Sequence, residues 1–75
     1  MPRTNVNRVA TKYRRFNDWL RGELKEQRKT QKELADYLNI EQSTLSMRMN
    51  GLIEWPFRDV LEVLEFLNAS FDVVF

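Results

Sequence analysis

Residues Gln31 to Asn50 read QKELADYLNIEQSTLSMRMN, with Thr30 before them and Gly51 after. Thr30 and Glu33 make a T-x-x-E pair, the pattern of a capping box, in which a hydroxyl and a carboxylate satisfy orphan N–H groups at a helix start. Leu34, Ala35 and Leu38 then share one helical face. Asn39 tolerates the left-handed conformation that ends many helices, though less readily than Gly. Ile40 is apolar and suits the gap between two helices. From Gln42 to Asn50 a second helical stretch places Leu45 and Met49 four apart on one face, and Gly51 closes it. The spacing predicts a short helix, a tight turn and a second short helix. The small Ala35 is what two helices crossing at a steep angle need at their closest approach.

On the second helix Ser43, Ser46, Met47 and Asn50 point away from Leu45 and Met49, and Thr44 lies at the edge of that outward face. The face carries hydroxyls, an amide and a thioether, and no acid. A face that only meets water more often carries Lys and Glu. This composition suits a surface pressed against something that offers hydrogen-bonding groups.

The stretch TQKELADYLNIEQSTLSMRMNG resembles the helix-turn-helix of the lambda-repressor-like (Cro/cI, XRE) DNA-binding proteins. Their pattern is roughly T-Q-x-x-L-A-x-x-L-G-I-x-x-S-T-[aliphatic]-S-x-x-x-N-G. The match runs through Thr30, Gln31, Leu34, Ala35, Leu38, Ile40, Ser43, Thr44, Leu45, Ser46, Asn50 and Gly51, and the resemblance extends over about Phe16 to Leu67. Three positions depart from it. Asn39 stands for the usual Gly. Glu41 stands where a Ser or Thr cap is preferred. Arg48 occupies a position that is often apolar, and its stem is expected to pack while its head reaches water. The resemblance implies a compact all-α domain of four to five helices. It also implies double-stranded DNA as the partner and a small, phage Cro-like regulator as the type of protein.

On that basis the helix from Gln42 to Asn50 is the recognition helix. The major groove admits one α-helix and presents a distinct donor and acceptor pattern for each base pair. Gln42 suits a bidentate contact to adenine, Ser43, Thr44 and Ser46 suit bases or phosphates, and Met47 suits a thymine methyl. Ser43 and Thr44 lie in the first turn, so helix-start chemistry is the competing reading for both. Glu41 is either an acceptor for a cytosine amine or a plain exposed acid beside a helix N-terminus. Gln31 carries the family's phosphate contact at the first turn of the preceding helix. Lys32, Arg48 and Asn50 are the further backbone candidates, with Asn50 alternatively closing the helix end.

Composition narrows the function classes. A chain of 75 residues is one domain, near the lower limit for independent folding. It contains no Cys and no His, which removes disulfide frameworks, thiolate and imidazole metal sites and Ser/His or Cys/His nucleophile pairs. Carboxylates are present, but none pairs in an evident cleft, so no enzymatic activity is expected. No cofactor and no small-molecule ligand are indicated. No apolar run is long enough to span a membrane and no signal-peptide core is visible, so a cytoplasmic protein is the simple expectation. The net charge is only +1, but it is unevenly placed. Residues 1–32 hold ten cations against three acids, a net +7, whereas residues 33–75 hold two against eight, a net −6. Such asymmetry suits one face for a polyanion and an opposite acidic face, beside the simpler reading of a dipole with a solvated basic tail.

Residues 1–11 read as a flexible basic arm, followed by the domain over 12–75. Arg3 and Arg8 are the arm's candidate contacts to the DNA backbone or minor groove; a frayed terminus is the plainer alternative. From Lys12 to Arg28 a helix is expected, with Phe16, Leu20 and Leu24 as its core stripe, Tyr13 and Trp19 flanking, and Gly22 in its middle as either a plain cost to the helix or an allowance for close packing. Residues 51–55 form a loop. Pro56 opens a further helix, whose stripe is Phe57, Val60, Leu61, Leu64 and Leu67, widened by Val63 and Phe66, with Asn68 at its end. The last residues, FDVVF, suit a fifth short helix capped by Ser70, or a short strand in which Phe71, Val73 and Phe75 alternate. Phe71, Val74 and Phe75 are the candidate dimer contacts, with docking on the chain's own core as the alternative.

These readings lead to a sequence-specific DNA-binding transcriptional regulator. A repressor acting as a homodimer on a palindromic operator is the expected form. The alternative is an antitoxin or phage-encoded inhibitor that holds a protein partner through the acidic half and apolar tail, and that also regulates its own operon.

Overall fold

The computed structural model describes residues 12–74. Among these residues five helices follow one another: α1 over Arg14–Glu26, α2 over Gln31–Leu38, α3 over Gln42–Met49, α4 over Phe57–Phe66 and α5 over Phe71–Val74. All the regular structure among the described residues is helical. The strand reading of the C-terminal residues is therefore corrected. A strand needs a neighbour to receive its backbone hydrogen bonds, and every neighbour here is a helix.

Local chemistry sets the helix ends. The Thr30 N–H donates to Glu33 Oε1 at 2.8 Å and the Glu33 N–H donates to Thr30 Oγ1 at 3.1 Å, a complete capping box. Four chain reversals use a left-handed residue just past a helix: Arg28 (φ 57°), Asn39 (φ 59°), Gly51 (φ 77°) and Asn68 (φ 56°). At each, paired bonds return to the helix's last turn, as in Ile40 N–H to Ala35 O at 3.0 Å and Asn39 N–H to Asp36 O at 3.1 Å.

The core gathers one face from every helix. Phe16, Leu20 and Leu24 of α1 meet Leu34, Ala35 and Leu38 of α2, Leu45 and Met49 of α3, Val60, Val63 and Leu64 of α4, and Val74 of α5. Trp55 and Leu67 complete it, and Ile40 packs against it from the α2–α3 turn. Phe16 meets the Trp55 ring edge-on, with ring centroids 5.0 Å apart.

Several expectations change here. Phe57 and Leu61 lie outside the core, 65% and 44% exposed, and the Phe57 ring meets Phe71 on the surface. Trp55 of the preceding loop fills the interior instead. Val74 is buried in this chain's own core, which removes it as a dimer contact, while Phe71 remains 46% exposed. Phe75 and the 1–11 arm, with Arg3 and Arg8, lie outside the described residues.

Gly22 sits on the exposed side of α1, and an added Cβ there would have nothing within 4 Å. It has no close-packing role and only carries the entropic cost of glycine in a helix. Gly22→Ala is therefore expected to raise stability by about 0.5–1 kcal/mol in urea unfolding, with an unchanged slope. A destabilised variant would mean that the position faces something other than water.

Candidate nucleic-acid interface

The buried side of α3 presents Leu45 and Met49, 0% and 2% exposed. This anchors the helix so that its opposite side faces outward by periodicity alone. Ser43 and Met47 are exposed on that side, and Thr44 and Ser46 are half-buried; Gln42 is in register with Leu45 and Met49 but is exposed as the first residue of α3. Among the described residues no side-chain hydrogen bond takes up the Gln42 amide, the Ser43 hydroxyl or the Thr44 hydroxyl. Ser46 is partly engaged, its hydroxyl accepting from Asn50 Nδ2 at 3.4 Å. Glu41, at the start of α3, makes no capping bond with its side chain. The outward direction of Ser43 and Met47 is thus legible in the sequence, because it follows from the helix period once Leu45 is inside.

The flanking candidates separate. Gln31 is half-buried in the first turn of α2, directly after the capping box. Lys32 is exposed and held loosely, its Nζ 3.4 Å from Asp36 one turn on. Asn50 is fixed from α1: its Oδ1 accepts from Arg21 Nη2 at 2.9 Å, and the same nitrogen donates to the Met49 carbonyl at 2.6 Å.

Arg48 turns inward. Its side chain is only 13% exposed, and Nη1 meets Asp59 Oδ2 at 2.7 Å. Its guanidinium lies 5.8 Å from the Trp55 ring centroid, and its Nε is buried with no partner among the described residues. As a backbone-contact candidate Arg48 is therefore corrected, because a buried carboxylate across the core holds its charge inward.

Sequence reading missed the polar network around it. Trp55 Nε1 donates to Asn17 Oδ1 at 2.8 Å, and Asn17 Nδ2 donates to the Arg48 carbonyl at 3.0 Å. Tyr13 donates its hydroxyl to the Trp55 carbonyl at 3.3 Å. These bonds tie α1, α3 and the loop before α4 into one unit. One signal was available, since Asn17 occupies the same α1 face as Tyr13, Leu20 and Leu24, and a polar residue on an apolar stripe needs a buried partner.

On the other flank, Tyr37 packs against Phe66 with ring centroids 5.0 Å apart and donates to Glu65 Oε1 at 3.2 Å. Partial desolvation and then the Glu65 carboxylate hold the Tyr37 phenol above its ordinary pKa, so it remains a neutral donor at physiological pH. Lys29 donates to the Phe66 carbonyl at 3.0 Å. These contacts join α2 and the turn before it to α4.

A protein-family model described as helix-turn-helix matches residues 20–74. Comparison with curated proteins and with solved structures gives no match. No group of His, Cys, Asp or Glu with metal-binding geometry occurs among the described residues, and none of the helices described is long and apolar enough to cross a membrane.

Proposed function

Because the chain belongs to the Cro/cI-like (XRE) helix-turn-helix family of DNA-binding proteins, we propose that it is a transcriptional repressor that reads its operator with the outward side of α3. The observation that carries this reading is the uncommitted, acid-free surface of Ser43 and Met47 on a helix whose other side is buried, with Gln42 exposed beside it at the helix start. Gln42 is the proposed adenine contact and Met47 the thymine-methyl contact, with Ser43, Thr44 and Ser46 reaching base edges or phosphates. Gln31, Lys32 and Asn50 hold the backbone and fix register. Arg3 and Arg8 extend that grip along the duplex. The proposed place of action is the cytoplasm.

A homodimer on a palindromic operator completes the proposal, with half-sites about 34 Å apart or a multiple. Support comes from the exposed apolar residues at the α4–α5 end: Phe57, Leu61, Phe71 and Val73 are 44–65% exposed. The same surface, beside Glu62 and Glu65, also supports the second reading, in which an antitoxin or inhibitor holds a protein partner there.

Selection from a random duplex pool, followed by binding of two variants to the recovered site, tests the assignment. A palindromic motif is the expected product. On it Gln42→Ala should lose about 1–3 kcal/mol and relax the preference at one base pair. Lys32→Ala should weaken operator and random DNA alike and flatten the salt slope by about one. Equal behaviour of the two variants on both DNAs would refute the division of roles. Selection that enriches nothing moves the weight to the protein-partner reading.

A further inference from the structure

A notch of about 320 Å³ lies between α1 and the end of α3, lined by Arg14, Asp18, Arg21, Asn50 and Gly51 among others. Building on the DNA-binding reading, we infer that this notch seats one phosphate of the DNA backbone, held by Arg14, Arg21 and the Asn50 amide, with the Asp18 carboxylate as its stand-in in the free protein.

The donors are arranged for an anion. Arg21 Nη2 is committed to the Met49 carbonyl and Asn50 Oδ1, which leaves Nη1 directed at Asp18 Oδ1, 3.7 Å away. Arg14 Nε approaches the other oxygen, Asp18 Oδ2, at 3.9 Å. A single carboxylate thus lies between two guanidiniums, at distances too long for good hydrogen bonds. The three side chains are 80%, 46% and 66% exposed for Arg14, Arg21 and Asp18, so these are loose surface pairs that an incoming anion displaces at little cost. Because Arg21 occupies the carbonyl end of the Asn50 amide, its NH₂ end is left with one long 3.4 Å contact to Ser46. Two guanidiniums and an amide NH₂ present only donors, and phosphodiester oxygens are only acceptors.

The position also fits. The eight residues of α3 span about 12 Å, close to the width of the major groove. With the first turn directed at the bases, the last turn reaches the groove wall, where a backbone strand runs. Gln31 and Lys32 serve the other flank, on α2. Arg21 is then a positioning residue as well as a ligand, because it locks the end of the recognition helix to α1.

The test measures binding of a labelled mixed-sequence duplex and of the selected operator between about 50 and 200 mM salt. Arg14→Gln removes a donor whose one ion pair among the described residues is the loose one to Asp18. It should weaken both DNAs by a similar factor and lower the salt slope by about one. Asp18→Asn removes the competing charge and should strengthen both by about fivefold at the low-salt end. If both variants bind as the parent does, with unchanged slopes, while Gln42→Ala still loses specificity, the seat is refuted and the DNA-binding reading stands. A parent chain that binds neither DNA overturns both.

Discussion

Asp59→Ala is expected to remove about 3–5 kcal/mol of stability, the characteristic penalty for leaving one member of a buried ion pair behind. The Asp59 and Arg48 side chains are 10% and 13% exposed and meet at 2.7 Å. Without the carboxylate, the guanidinium is left against the Trp55 ring, in a site where its Nε already has no partner. A domain of 75 residues holds in total about 4–11 kcal/mol, so the variant should lose a large share of its stability and unfold at a markedly lower urea concentration. Urea unfolding followed by tryptophan fluorescence measures the loss. Arg48→Met combined with Asp59→Leu should recover most of it, since apolar groups of similar volume need no partner. A single variant within about 1 kcal/mol of the parent would show that water reaches the pair and that it does not clamp α3 to α4.

Leu45→Ala is the second large effect, expected at about 2–5 kcal/mol. Leu45 is 0% exposed and sits on the same short helix as the proposed reading residues. Its removal deletes buried apolar surface and leaves a cavity that eight residues of helix cannot readily collapse around. DNA binding should fall in step with the folded fraction and return on cooling to the temperature of maximum stability. Leu45→Met conserves volume and should stay within about 1.5 kcal/mol. Full stability in the alanine variant would contradict the packing of α3, and normal stability with lost binding would mean that Leu45 itself contacts DNA.

The two effects differ in how far the sequence anticipates them. Leu45 is legible because its inward direction follows from Met49 one turn on and from the helix signals on either side. Thr30 and Glu33 cap each other across three residues, and Asn39 and Gly51 close helices through bonds to the preceding turn. The core stripes of α1 and α2 are local in the same sense. So is the outward direction of Ser43 and Met47, which is simply the complement of a buried face.

The remainder depends on partners far along the chain. Arg48 turns inward because Asp59 lies across the core from it, and Trp55 leaves its loop for the interior because Asn17, thirty-eight positions earlier, accepts its N–H. Phe57 stands at the start of an apolar stripe yet lies outside with its ring on Phe71, while Trp55, two residues earlier, is the one buried, against Phe16 of α1. Val74 and Phe71 are three residues apart and divide between core and surface, because a one-turn helix rather than an alternating strand carries them. Arg21 gains its role through α3, twenty-eight positions on. Helix periods and caps are written in contacts within four residues, so the chain's own spelling settles the helices and their buried faces. The direction of a charged or amphipathic side chain depends on which distant group offers it a hydrogen bond or a counter-charge, and that pairing exists once the helices have packed.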